Sequence, residues 1–247
     1  MFVPDVATGV HLIRRAHVNC YLIEGGNGLT LVDAGLPGVW RELGSAIRTL
    51  GHRPEDLRAL VLTHAHFDHV GTARRLVQRL GLPIYAHARD AELAAHPYRY
   101  AHENPSAVYP LRHPRAVPML VSMMLAGAAL VRGVSDTLPL APDTTLHAPG
   151  RPRVIATPGH TDGHVALHLP DRDVVLTGDA LVTLDPYTAS TGPRIVAGAA
   201  TADSAQALES LAALEATGAR TVLPGHGDVW DRGVRSAVEH ARRVGPA

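Results

Sequence analysis

The chain has no lysine: all 23 of its basic side chains are arginine. That removes Schiff-base catalysis, a lysine general base and the phosphate-binding lysine of a P-loop. It has one cysteine, Cys20, so no internal disulfide can form. Cys20 stands in the β-type run Val18-Asn19-Cys20-Tyr21-Leu22-Ile23, where a free thiol acts as a small buried hydrophobe. Net charge is lacking as well. The 23 basic and 23 acidic residues cancel at pH 7, which argues against a broad basic face for nucleic acid. No apolar run reaches the ~18 residues of a membrane-spanning helix. The opening residues MFVPDVATGVHLIRR have no basic segment followed by an apolar one. No signal peptide is read from them, and a cytoplasmic protein is expected.

What is present is enough apolar surface for a core: 46% of 247 residues are hydrophobic. The pattern alternates strands and helices. Val10–Arg14, Asn19–Glu24 and Leu29–Asp33 read as strands, with Gly25-Gly26-Asn27-Gly28 as a turn between the last two. Pro37-Gly38 opens a helix to about Leu50, closed by Gly51. Leu60-Val61-Leu62 and Pro83–Ala86 read as strands around a helix from Gly71 to Leu80. Farther on, Val154–Ala156, Val165–Leu169, Val174–Thr177 and Thr221–Leu223 read as strands, and Asp203–Thr217 and Asp231–Val244 as helices. Interleaved elements with adjacent strand groups predict a layered α/β fold with mixed sheets in one domain, residues 1–247. Residues from about 88 to 149 differ. They are rich in Pro and His, hold Tyr98, Tyr100 and Tyr109, and contain an apolar stretch over 117–131 with three of the four methionines. They read as a helical cap inserted in that domain.

Sixteen histidines are present, and most read as ordinary surface or core residues: His11, His52, His96, His102, His113, His147, His168 and His240. The run Thr63-His64-Ala65-His66-Phe67-Asp68-His69 does not. It places three imidazoles and a carboxylate in six positions at the end of a predicted strand. Two-residue spacing sends His64 and His66 to one side, and Asp68 and His69 follow as the chain turns. Two clusters from one segment suit two metal ions. Three further candidates sit just after predicted strands, each preceded by glycine: His160 in Thr157-Pro158-Gly159-His160, Asp179 in Thr177-Gly178-Asp179 and His226 in Pro224-Gly225-His226. Glycine lets the backbone bend sharply there.

These motifs, in this order and with Val32-Asp33-Ala34-Gly35 upstream, resemble the metallo-β-lactamase superfamily over nearly the whole chain. The resemblance implies a four-layer αββα sandwich with the site on one edge of its two mixed sheets. It implies that His64, His66 and His160 hold one metal, that Asp68, His69 and His226 hold the second, and that Asp179 bridges them. It places Asp33 and His164 behind the ligand loops as supports. Five imidazoles and two carboxylates suit two Zn²⁺, and also Fe²⁺ or Mn²⁺. The activity implied is hydrolysis of a small ester, lactone or thioester by a hydroxide held between the metals. Asp68 would orient that hydroxide and take its proton.

The bridging Asp179 is unlike the β-lactamase branch and like the glyoxalase II, lactonase, nuclease and iron-protein branches. Glyoxalase II binds glutathione with basic residues, including Lys, and with a C-terminal extension; here Lys is absent and 21 residues follow His226. Lactonases of acyl-homoserines carry a Tyr three residues after the bridging Asp, where this chain has Val182. Tyr187 lies in the loop beyond and is the nearest substitute. An iron-dependent enzyme related to persulfide dioxygenases is the alternative, and a metal-binding protein without turnover a third reading. The stretch 117–131 is expected to be a buried helix, a dimer contact that would make a homodimer, or an apolar wall over the site accepting a substrate's tail. Tyr98, Tyr100, His102 and Tyr109 are candidates for the mouth.

Overall fold

A computed structural model describes residues 1–247. Strands β1 (Phe2–Ala7), β2 (Val10–Arg15), β3 (Val18–Gly25), β4 (Gly28–Val32), β5 (Leu57–Val61), β6 (Ile84–Ala86) and β7 (Thr137–Pro139) form one sheet in that spatial order. The first four pair antiparallel and the rest parallel. A second sheet holds β8 (Arg153–Ala156), β9 (Val165–Leu169), β10 (Val174–Gly178) and β13 (Thr221–Pro224), in the order β13-β10-β9-β8. A separate hairpin joins β11 (Val182–Leu184) to β12 (Thr191–Arg194). The helices are α1 (Trp40–Thr49), α2 (Phe67–Val70), α3 (Ala73–Leu80), α4 (Ala91–Ala95), α5 (Tyr109–Arg112), α6 (Val117–Leu125), α7 (Ser204–Glu215) and α8 (Val234–Val244). None is long and apolar enough to cross a membrane.

Side-chain alternation builds the layers. Successive residues of a strand face opposite sides, and both sides here are apolar. Ile13, Leu22, Leu31 and Leu60 join Leu43, Ile47 and Leu76 of α1 and α3 in one core. Their neighbours Leu12, Tyr21, Ile23, Val32 and Val61 point the other way and meet Leu167, Val174, Leu176 and Leu223 of the second sheet. The outer face of that sheet gives Ala166, Val175 and Val222 to α7 and α8 through Leu211, Leu214, Ala237 and Val238. The stack is therefore helix, sheet, sheet, helix, as the resemblance implied.

Several elements differ from the sequence expectation. β1 carries Pro4 and Asp5 and gave no strand signal, yet it pairs with β2. The first helix starts at Trp40 after a 3-10 turn at Pro37–Val39. The helix read from Gly71 begins at Ala73 as α3, and a short helix, α2, precedes it over Phe67–Val70. The 88–149 segment is not all helix: α4, α5 and α6 lie before residue 126, and β7 then returns to the edge of the first sheet beside β6.

Candidate metal centre

Strand direction collects the site. β4 and β5 run parallel, as do β10 and β13. β8 is antiparallel to β9, which is antiparallel to β10, so β8 runs with β10. The C-terminal ends of all five present loops to one edge, where a rigid scaffold places functional groups. His64, His66, Asp68, His69, His160, Asp179 and His226 converge there, each less than a tenth exposed. The atoms that could ligate a metal in His64, His66 and His160 lie within 4.8 Å of one another, and so do those of Asp68, His69 and His226. Asp179 lies between the groups. Its Oδ2 is 3.6 Å from His160 Nε2 and 3.3 Å from His226 Nε2, and its Oδ1 is 3.6 Å from His69 Nε2.

The far nitrogen of four of the five rings is anchored, that of His66 being unpartnered. His69 Nδ1 donates to Asp33 Oδ2 at 2.9 Å, and His226 Nδ1 to the His17 carbonyl at 2.9 Å. His160 Nδ1 pairs with Thr201 Oγ1 at 3.1 Å, and His64 Nδ1 with Thr63 Oγ1 at 3.1 Å. Asp33, at φ +59, also accepts from the Thr63 amide at 2.8 Å and hydroxyl at 2.9 Å. His164 is no part of the cluster's inner surface. Its Nε2 accepts from the amides of Asp179 (3.0 Å) and Ala180 (3.2 Å), so its proton lies on Nδ1, 2.7 Å from Thr157 Oγ1. It holds the Asp179 loop in place.

Charge separates the two groups. Burial and the neighbouring imidazoles keep His64 and His66 well below the ordinary histidine range, and burial lowers His160 to about 4. Burial would lower His226 too, but Asp179 and Asp68 outweigh it and raise it to about 10. His69 is raised for the same reason, by Asp179, Asp33 and Asp68. Burial opposes ionisation of Asp179 and Asp68, yet the paired histidines hold both carboxyls below their ordinary value. One side is a neutral three-imidazole group; the other is a set of ion pairs.

The donor set fits metal ions. The Nε2 atoms of His64 and His69 and Oδ1 of Asp179 are buried without a hydrogen-bond partner. A buried polar atom left unpaired costs about 1–3 kcal/mol, so three in one cluster favour a cation. His66 Nδ1 and His160 Nε2 are 3.0 Å apart, close to the roughly 3.3 Å between ligand atoms on a tetrahedral zinc.

The glycines before the candidates act for different reasons. Gly178 has φ +48, which a side chain would strain. Gly225 has no such backbone; there a Cβ would collide with Asp179 Oδ1. Its role is to leave room for the carboxylate.

Other contributors were not read from the sequence. Asp90, 2% exposed, lies in the segment taken for a cap. Its Oδ2 accepts from the Ala65 amide (3.1 Å) and Thr161 hydroxyl (2.8 Å), and its Oδ1 from the Gly163 amide (2.8 Å). It ties the His64–His66 loop to the His160 loop. Asn19 and Tyr21, in a strand, hold the His226 loop: Asn19 Nδ2 donates to the carbonyls of Pro224 (2.9 Å) and Gly227 (2.8 Å), and the Tyr21 hydroxyl to Pro224 (2.7 Å). Only their polar character inside an apolar run marked them.

A cleft of about 320 Å³ opens over the cluster. His66, Asp68, Asp179 and His226 line its base; Phe67, Leu120, Met123, Met124 and Tyr187 line its walls. Tyr187 thus reaches the site, and Val182 packs beneath it with Val196 and Ala200. Tyr100 lies 4.3 Å from His66 between ring centroids, and its hydroxyl is 3.5 Å from that of Tyr187. Tyr98 stacks on Phe67 at 5.5 Å, and His102 lies 6.2 Å from Tyr100. Tyr109 instead donates to the Ala247 carbonyl at 3.0 Å.

Known proteins resemble this chain in sequence and fold. Residues 13–226 fit the family model of the metallo-beta-lactamase superfamily. A probable metallo-hydrolase of Bacillus subtilis strain 168, YflN, is 29% identical over 186 residues, 73% of this chain and 67% of its own. A hydroxyacylglutathione hydrolase of Cereibacter sphaeroides is 32% identical over 144 residues, 58% of this chain and 41% of its own. The matched region spans about two thirds of the first curated relatives, 61–67% of their length. The solved structure of TTHA1623 in a di-iron-bound form aligns at 29% identity with a TM-score of 0.60, covering 89% of this chain and 92% of that one. Its family model covers most of its length, and its fold and clustered strand-end residues agree with that match: the chain belongs to the metallo-beta-lactamase superfamily.

Proposed function

We propose that the chain is a binuclear metal-dependent hydrolase acting on a small ester, lactone or thioester. The observation that carries this reading is the buried cluster itself, with unpartnered polar atoms on His64, His69 and Asp179 and with His66, Asp68, Asp179 and His226 at the base of an open cleft. His64, His66 and His160 would hold one ion, Asp68, His69 and His226 the other, and Asp179 would bridge, since it faces both groups. Two such ions supply Lewis acidity and bring the pKa of a water to roughly 7. Asp68, kept ionised by His69 and His226, is the carboxylate in the cleft that can accept a proton. Tyr187, whose hydroxyl burial keeps protonated, is the O–H donor in the wall for the substrate's oxygen.

The names of relatives support hydrolysis: a probable metallo-hydrolase, and a hydrolase of hydroxyacylglutathione, a thioester. Absence of lysine argues against glutathione as the carrier. Leu120, Met123 and Met124 give the cleft an apolar wall, which suits a substrate with an apolar tail. Replacing Met124, which is more than half exposed, with glutamine should weaken long-chain substrates more than short ones. Equal weakening would refute the tail. The di-iron-bound neighbour supports a second reading, an iron-dependent redox enzyme on the same ligands. Metal-quantified protein run against ester, lactone and thioester panels, with oxygen uptake followed in parallel, separates the two. Turnover without oxygen supports hydrolysis. Iron with oxygen consumed on a persulfide overturns it.

A further inference from the structure

Helix α6 is apolar on two faces, and only one is covered. Met119 and Met123 are buried, and Met123 joins Ala126, Ala128 and Val131 in the first core. Val117, Val121, Met124 and Leu125 recur at the four- and seven-to-eight-residue spacing of a second face, and all are exposed, Leu125 at 85%. Leu111 and Leu130, before and after the helix, are exposed at 85% and 76%. Exposed apolar side chains grouped in this way mark an interaction surface. The face is held firmly: the Tyr98 hydroxyl donates to the Ala128 carbonyl at 2.6 Å and accepts from the Val131 amide at 2.9 Å.

Along the chain, the charge from Tyr109 up to the exposed Asp136 is of one sign. Residues 109–135 contain Arg112, Arg115 and Arg132 and no Asp or Glu, in a chain whose net charge is zero. All three arginines are exposed. The ion pairs of the chain's arginines use Arg14, Arg15, Arg235 and Arg242 instead. Met124 belongs both to this face and to the wall of the cleft. We infer that the α5–α6 face docks the protein on an anionic lipid surface, with the mouth of the cleft at the interface.

A second copy of the chain fits the face less well. Symmetric pairing through α6 would set arginines against arginines, and like charges brought together at an interface oppose association. An anionic bilayer accepts both features. Apolar side chains enter the headgroup boundary while arginines meet lipid charge, each strengthening partition about fivefold. The inference concerns the surface and does not require the hydrolase reading.

The test is co-sedimentation of the full chain with vesicles of phosphatidylcholine alone and of phosphatidylcholine mixed with phosphatidylserine. Binding is expected to the mixed vesicles and much less to phosphatidylcholine, and to fall as salt is raised. Replacing Arg112, Arg115 and Arg132 together with glutamine should weaken it roughly 100-fold. Val121→Ser with Leu125→Ser should abolish it; both side chains are exposed, and an unchanged circular dichroism spectrum and melt confirm that the fold is kept. Absence of binding to both vesicle types overturns the inference. So does a dimer in sedimentation velocity that the Val121→Ser, Leu125→Ser protein no longer forms, because the occupant is then a second copy.

Discussion

Replacing Asp90 with alanine tests whether the two histidine loops are fixed by one carboxylate. Asp90 accepts three hydrogen bonds, two from buried backbone amides and one from a hydroxyl. The Thr161 hydroxyl can rotate to another acceptor; the amides of Ala65 and Gly163 cannot. Two orphaned buried donors cost about 1–3 kcal/mol each. Recovering the desolvation of the carboxylate, whose pKa burial raises, offsets part of that. A net loss of about 3 kcal/mol remains, which lowers Tm by roughly 6–12 °C in a domain of this size. The melt should be run on metal-free protein, so that metal binding does not mask the change. Loss of a buried group that orients ligands also costs about 10–100-fold in metal affinity, readable by competition with a chelating dye. Asp90→Asn is the control: its carbonyl keeps the bonds to Ala65 and Thr161 and orphans only the Gly163 amide, one of the two counted, so it should fall about half as far. A melt for Asp90→Ala within about 2 °C of the parent, with unchanged metal affinity, would refute the reasoning.

Other consequences are equally concrete. His226, raised to about 10 in the metal-free cluster, is charged at neutral pH and must lose its proton to ligate. Metal affinity should therefore rise with pH below about 10, about tenfold per pH unit for that proton and more steeply because His69, also raised, must shed its own, and calorimetry in buffers of different ionisation enthalpy should show protons released on binding; pH-independent binding contradicts the charge assignment. The same group stabilises the metal-free fold below its unfolded pKa of about 6.5, and that contribution is lost as pH rises through about 10. Tyr187→Phe removes the wall's hydroxyl donor and should lower kcat roughly 10²-fold with metal content unchanged; a full rate would remove Tyr187 from the reaction. Gly225→Ala should displace Asp179 and reduce metal content while Gly26→Ala, in open space, does not; equal metal content in both would show that the tight fit is not required.

The cluster was legible in the sequence because its parts are local. His64 to His69 lie in one run, and His160, Asp179 and His226 each follow a strand and a glycine, so short-range pattern was enough to find them. Asp33 and His164 also stand where the family pattern places supports, one against His69 and one against the Asp179 amide. Asp90 was not legible. Its partners are 25 to 73 residues away, and only tertiary folding brings them together. Asn19 and Tyr21 were hidden for a related reason: their strand looks apolar, and the carbonyls they serve are about 200 residues farther on. β12, Thr-Gly-Pro-Arg, has the composition of a turn and is a strand only because β11 pairs with it. The α6 stretch is uniformly apolar, so periodicity could not say which face the fold would cover.

The central claim is that this cluster holds two metal ions joined by Asp179. Protein loaded with zinc, iron or manganese, freed of excess metal and analysed by plasma mass spectrometry decides it. The account predicts two ions per chain, and one or none in Asp179→Ala. A single ion in the parent, or two ions retained in Asp179→Ala with unchanged affinity, would contradict it.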